Sequence, residues 1–270
     1  MFNKFCSHSI KMKLLRLTLH LHETFFIIIT NNKIMKTFKP ALLIVLFLIM
    51  NITYKANGQD WPNLNQFKEK NTEVGLPKTN EDRVVFMGNS ITQGWGDRVP
   101  EFFDNPNYIN RGIGGQTSPQ MLLRFRQDVL KLYPKVVVIL AGTNDIAGNT
   151  GPSTLEMIED NLYSMAELAK ANNIEVVFCS VLPVFDYPWQ TGLEPADKII
   201  ELNRRIKEYA DKHGIVYADY FTPMVDERNG LKAEYTNDGV HPTPAGYEVM
   251  APIAEKAIAM ALVLWNNNNQ

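Results

Sequence analysis

Residues 84–93, VVFMGNSITQ, decide how the rest of the chain is read. Val84, Val85 and Phe86 form an apolar run that passes through Met87 and stops abruptly at Gly88-Asn89-Ser90. A short run without polar alternation, closed by a glycine turn, predicts a buried strand. Ser90 then stands at the carboxyl end of that strand, the edge where open α/β sheets hold their ligands. Taken alone, a serine there is equally well a turn residue or a helix cap.

Outward from this strand, short apolar runs alternate with helix-length amphipathic stretches. Strands are predicted over 84–87, 108–110, 136–141, 176–181 and 216–218, and helices over 120–132, 154–172, 197–212 and 244–264. Residues 136–140, VVVIL, lack alternation, as a central strand covered on both faces should. Alternation of this kind predicts an α/β fold: a parallel sheet with right-handed crossovers in a three-layer α/β/α sandwich. Ahead of the first strand, residues 61–80 are polar, with a short helix expected around 64–69.

The first 58 residues differ in character. Residues 41–50, ALLIVLFLIM, are an unbroken apolar run of ten behind Lys36 and Lys39, followed by Ala56-Asn57-Gly58. Spanning a bilayer takes about 20 apolar residues, so this run predicts a secretory signal over 35–58 and no stable membrane insertion once it is removed. Met35 opens MKTFKP, a natural signal start, so residues 1–34 read as an over-extended reading frame. The expected product is one domain over 59–270, secreted or periplasmic. The whole chain has 27 Lys+Arg and 29 Asp+Glu; the leader holds eight and one of them, leaving 19 and 28 and a net charge of −9. An acidic chain without a basic stripe excludes nucleic acid as a partner. Cys6 leaves with the leader, so Cys179 has no intramolecular partner, and only His213 and His241 remain of five histidines. A histidine-rich metal site is thereby excluded, a carboxylate-only site is not, and no cofactor is expected.

Three further stretches keep company with Ser90. Residues 112–118, GIGGQTS, place three glycines in four positions, which lets backbone N–H groups face a ligand. They lack the lysine of a phosphate-binding loop and the spacing of a dinucleotide loop. Gly142-Thr143-Asn144-Asp145 comes straight off the predicted central strand, which brings Asn144 to the same sheet edge as Ser90. Its amide is either an Asx-turn group or a donor for a developing oxyanion. Finally, residues 238–242, DGVHP, set Asp238 and His241 three apart in a turn.

These four stretches, in this order, resemble the motifs of the SGNH hydrolases, the GDSL-type esterase and acylhydrolase superfamily. The resemblance implies a flavodoxin-like five-stranded parallel sheet and a serine esterase. Gly88-Asn89-Ser90 stands where that family carries Gly-Asp-Ser, so Asn89 keeps an acceptor oxygen and lacks the charge. By the resemblance, Ser90 is the nucleophile, and the oxyanion hole comprises Ser90, Gly115 and Asn144. A serine hydrolase needs a base. His213 sits in Asp211-Lys212-His213-Gly214, a helix end where a cation suits the dipole, which leaves His241 for that role, oriented by Asp238.

Residues 183–195, PVFDYPWQTGLEP, are expected to form a pocket wall, with Phe185, Tyr187 and Trp189 contacting substrate. Aromatic side chains stack on a sugar or line an acyl groove alike. The expected substrate is a small ester or acylated carbohydrate, with short-chain, acetyl esters favoured by the polar Asp186, Gln190 and Glu194. The competing readings are a lysophospholipase or lipid acylhydrolase, and a non-catalytic glycan-binding module on the same scaffold.

Overall fold

The computed structural model describes residues 60–269; the expected signal and the segment before it lie outside the described residues. Five strands form one parallel sheet: β1 (Val84–Gly88), β2 (Tyr108–Gly112), β3 (Val136–Leu140), β4 (Glu175–Cys179) and β5 (Val216–Ala218). Their spatial order is β2-β1-β3-β4-β5. The first strand therefore sits inside the sheet, paired on both sides, which is why all five of its residues are buried.

Helices cover both faces. In chain order they are α1 (Lys68–Val74), α2 (Ser90–Arg98), α3 (Ser118–Asp128), α4 (Thr143–Ile146), α5 (Leu155–Lys170), α6 (Ala196–His213), α7 (Phe221–Met224) and α8 (Pro244–Asn268). Alternate residues of each strand point to opposite faces. Val85, Met87, Val137, Ile139, Val176 and Phe178 join Met121 and Phe125 of α3, Ile158 and Leu162 of α5, and Leu202 and Ile206 of α6 in one core. Val84, Phe86, Val136, Val138, Val177 and Cys179 join Ile91 and Trp95 of α2 and Tyr247, Met250 and Ala254 of α8 in the other. These two apolar layers are the three-layer sandwich that the alternating pattern predicted. Each fully buried Val, Leu or Ile in them contributes roughly 1.5–3 kcal/mol.

The differences from expectation are local. Strand β2 runs on to Gly112, and β4 begins at Glu175 and ends at Cys179. The helix expected over 120–132 ends at Asp128, and a separate 3-10 turn occupies Leu130–Leu132. The amino-terminal helix starts at Lys68 rather than near residue 64. Helix α2 was not anticipated, because Gly94 and Gly96 each lower helix propensity by about 1 kcal/mol. Tertiary packing overrides that deficit: Ile91 and Trp95 are buried, and a Cβ on Gly94 or Gly96 would stand 3.0 Å from the Tyr247 hydroxyl or the Asn110 amide. Among the described residues no helix is long and apolar enough to cross a membrane.

Candidate active site

Ser90 is the first residue of α2, one turn past β1. Asn89 caps that helix, its Oδ1 accepting the Ile91 N–H at 3.0 Å, so the neutral amide caps without a charge. The turn is tight enough that a Cβ on Gly88 would fall 1.9 Å from Thr92 Oγ1 and 3.2 Å from the Leu140 carbonyl oxygen. Only glycine fits there, and the close approach sets Ser90 at the sheet edge.

His241 arrives from the opposite end of the chain. Its Nε2 lies 2.9 Å from Ser90 Oγ, and its Nδ1 lies 2.7 Å from Asp238 Oδ2. Two long-range hydrogen bonds hold the carboxyl-terminal turn against α2. Arg98 donates to the Pro242 carbonyl at 2.7 Å, and the Tyr247 hydroxyl donates to the Ile91 carbonyl at 2.7 Å. Burial pushes the Asp238 carboxyl up, but the His241 backbone N–H, the His241 ring and the Val240 N–H outweigh it and bring the pKa down to about 2. Asp238 is therefore ionised across the neutral range and favours the tautomer that presents Nδ1–H to it, which leaves Nε2 as a hydrogen-bond acceptor facing Ser90 Oγ. His213 lies elsewhere, at the end of α6, stacked on Tyr209 at 4.2 Å between ring centres and followed by the left-handed Gly214.

The glycine loop lies beside Ser90, since a Cβ on Gly114 would come within 3.9 Å of Ser90 Cβ. Gly115 has φ +75°, a conformation that favours glycine. Among the described residues neither the Ser90 nor the Gly115 backbone N–H has a hydrogen-bond acceptor, whereas the Gly114 N–H donates to Gln93 Oε1 at 2.7 Å. Residues following β3 hold this loop in place. The buried Asn144 donates from Nδ2 to the Gln116 carbonyl at 2.9 Å, which uses one of its two N–H groups. Asp145 Oδ1 accepts from the Ser118 backbone N–H at 2.9 Å and from its hydroxyl at 2.6 Å, and Asn149 donates to the Gly115 carbonyl at 3.3 Å. Ser90 and Asn144 in the first turns of two helices, and Gly115, Asp238 and His241 on loops, thus gather at one edge of the sheet.

Three supporting residues escaped the sequence reading. Arg124 on α3 is fully buried beneath this edge; it donates to the Gly88 carbonyl at 3.0 Å, the Arg111 carbonyl at 2.8 Å and Asp128 at 3.1 Å. Desolvation lowers its pKa to about 10, so it stays charged at neutral pH. Nothing in a helical arginine signals such a place. Gln93, one turn after Ser90, is the second. Asp145 is the third, and its position next to Asn144 was the available signal.

The aromatic segment needs one correction. Tyr187 does not face a substrate: it is fully buried, and its hydroxyl contacts Thr143 Oγ1 at 3.0 Å and donates to the Thr143 carbonyl at 2.9 Å. A phenol with a satisfied hydroxyl is a good core residue, and here it braces the residue before Asn144. Trp189 stacks obliquely on Tyr187 at 5.1 Å, is 45% exposed, and stands 6.2 Å from the His241 ring. Phe185 is exposed and carries the Arg228 guanidinium 4.9 Å above its ring. Among the described residues no three His, Cys, Asp or Glu side chains converge as a metal-binding group.

The GDSL-like lipase/acylhydrolase family model matches residues 86–249, which include every one of the site residues above. A crystal structure of a GDSL-like lipase from Bacteroides thetaiotaomicron is 48% identical, with a TM-score of 0.72 over 74% of this chain and 98% of that one. An acetylxylan esterase of Xylanibacter ruminicola is 27% identical over 222 residues, 68% of this chain and 45% of the esterase. An uncharacterized lipoprotein of Bacillus subtilis is 28% identical over 152 residues, 53% of this chain and 58% of the lipoprotein. The chain thus spans about half the length of these two curated relatives. The matched model, the five-stranded parallel sheet and the four motifs in order agree: the chain belongs to the GDSL-like lipase/acylhydrolase family of SGNH hydrolases.

Proposed function

We propose that this protein is a secreted or periplasmic serine esterase that hydrolyses short-chain, chiefly acetyl, esters on carbohydrates. The observation that carries the reading is the line of contacts from Ser90 Oγ to His241 Nε2 (2.9 Å) and from His241 Nδ1 to Asp238 Oδ2 (2.7 Å). In this mechanism His241 Nε2 takes the Ser90 proton as Oγ attacks the ester carbonyl carbon. The tetrahedral oxyanion accepts hydrogen bonds from the backbone N–H groups of Ser90 and Gly115 and from the second N–H of Asn144 Nδ2. Collapse breaks the bond to the alkoxy oxygen, which leaves as the alcohol with the proton from Nε2. Water then adds to the acyl-serine, gives its proton to the same nitrogen, and the acid departs as Ser90 is reprotonated. The ionised Asp238 stabilises the imidazolium in both halves. The cycle draws on no cofactor.

Substrate class rests on narrower support. Exposed Trp189 beside His241 offers an apolar face to a sugar ring, and the related acetylxylan esterase acts, by its name, on an acetylated polysaccharide. Export rests on the apolar run at 41–50 and is in keeping with the related lipoprotein. Ser90→Ala and His241→Ala are each expected to lower kcat on p-nitrophenyl acetate by at least about 10³-fold. Asn144→Ala should lower it about 10²–10³-fold. A fully active Ser90→Ala would refute the mechanism. A series of p-nitrophenyl esters assayed beside acetylated xylan and a lysophospholipid tests the substrate. Rates that climb from acetate towards octanoate, or turnover of the lysophospholipid alone, would overturn the carbohydrate reading.

A further inference from the structure

We infer that the hydroxyl of Thr236 is a positioning group that holds Asp238 and His241 in register with Ser90; this inference rests on the triad proposed above. Thr236 lies two residues before Asp238 and is 9% exposed. Its Oγ1 sits within hydrogen-bond reach of four groups in the turn. It donates its single proton to the His241 carbonyl at 2.9 Å, with Asp238 Oδ1 as a second acceptor at 3.2 Å. It accepts the Gly239 N–H at 3.0 Å and the Asp238 N–H at 3.3 Å. A hydroxyl offers one donor and two acceptor positions, and all three are used here.

The consequence is geometric. The two ends of the turn are joined by the bridge between Thr236 and Pro242, and the Thr243 N–H donates to the Tyr235 carbonyl at 2.8 Å. Within that closure Thr236 fixes the backbone on both sides of Asp238 and the carbonyl of His241 itself. Arg98 fixes the next carbonyl, that of Pro242, from α2. His241 and Pro242 are thus tied at their two successive carbonyls, one to the turn and one to the serine helix. Asp238 adds further restraints: its Oδ1 accepts from the Val240 and His241 N–H groups, and its Oδ2 contacts Nδ1. Those bonds orient the carboxylate relative to the ring. Thr236 orients the carboxylate and ring together relative to the remainder of the turn.

Removing the hydroxyl while keeping the shape separates this role from packing. Thr236→Val is expected to lower kcat on p-nitrophenyl acetate roughly ten- to hundredfold with KM within about threefold, since a displaced base penalises the reaction more than binding. Thr236→Ser keeps the donor and both acceptors and should return kcat to within about threefold of wild type. The rate of covalent labelling of Ser90 by a fluorophosphonate should fall and recover in the same order. Both are measured below the unfolding transition of each variant, with Thr236→Ala as a second deletion. Wild-type kcat and labelling in either folded deletion variant would overturn the inference. So would a loss that Thr236→Ser does not repair, or a failure of both deletions to fold while Thr236→Ser folds, which would make the hydroxyl a folding determinant instead. Ser90→Ala and His241→Ala run alongside tell the two levels apart. If these remain active the triad itself is wrong; if they are dead while Thr236→Val is fully active, only the role of Thr236 fails.

Discussion

Gly142→Ala tests the way in which the sheet edge presents Asn144. Gly142 precedes α4 with φ +120°, a conformation that L side chains rarely adopt, and holding an alanine there costs roughly 1–3 kcal/mol. The new Cβ would also stand 2.8 Å from Leu202 Cδ2, 3.1 Å from Val181 Cγ2 and 3.7 Å from Ile158 Cγ2. All three side chains are buried, so the crowding adds roughly 1–3 kcal/mol. The Leu202 contact is with the end of a side chain, which can give, so the total should lie near 3 kcal/mol. For a domain of this size that is a fall in Tm of about 6–12 °C. Chemical unfolding followed by circular dichroism measures it, and kcat should fall as well because Asn144 is two residues away. Leu202→Ala separates the two contributions. That change alone is expected to cost about 2–5 kcal/mol, but in its background the added Cβ loses its 2.8 Å contact and keeps only those with Val181 and Ile158, so the increment for Gly142→Ala should shrink towards the torsional part. An increment under 1 kcal/mol in the wild-type background would refute the reasoning, and equal increments in both backgrounds would refute its steric half.

Tyr187→Phe should destabilise the protein by about 1–3 kcal/mol, because it strips a buried hydroxyl from Thr143, while KM stays within twofold; a raised KM at unchanged stability would return Tyr187 to the substrate pocket. Asp145 predicts a pH effect of defined sign. Desolvation outweighs its bonds to Ser118 and raises its carboxyl from 3.8 to about 6, so the unfolded chain ionises first and stability is lost as pH rises through that window. At 1.36 kcal/mol per pH unit the full loss is about 3 kcal/mol, of which about 2 kcal/mol should appear as a decline in the stability of wild type relative to Asp145→Asn between pH 4 and 6.5; a difference independent of pH would refute it.

The fold was legible because its signal is local. The strands β1 and β3 are runs of consecutive apolar residues, and both are buried along their whole length. The missed helix α2 shows the limit of that signal: two glycines hide a helix whose stability comes from Trp95 stacked on Phe102 at 4.3 Å and on Tyr247 at 5.4 Å. Tyr187 shows it again. An aromatic in a proline-rich loop reads as a pocket wall, and its true place depends on Thr143, 44 residues away. Arg124 and Thr236 are common residue types whose importance lies wholly in which carbonyls and N–H groups surround them. The candidate site was found through the residues whose chemistry is scarce, a histidine among two and an asparagine at a strand end. What holds those residues in place was invisible.

The strand order explains why four stretches scattered over 150 residues can serve one site. In the order β2-β1-β3-β4-β5 the chain leaves β1 towards β2 on one side and returns to place β3 on the other. A parallel sheet sends every strand to the same edge, so Gly88, Gly112 and Leu140 end in register, as the pairings Gly88 with Gly112 and Gly88 with Leu140 record. The segments that follow three adjacent strands carry Ser90, Gly115 and Asn144, at the reversal point where such sheets leave a crevice. The sheet itself therefore fixes the serine and its candidate oxyanion donors, and rigidly. The proposed base has no strand beneath it. Asp238 and His241 sit in a turn before α8, held to the serine helix by Arg98 and Tyr247 and internally by Thr236. This division assigns different failure modes to the two halves of the site. Damage to the proposed oxyanion half at Gly142 disturbs core packing, and should appear in stability and rate together. The acid–base half can be displaced by the loss of a single hydroxyl, and there rate should fall by far more than stability.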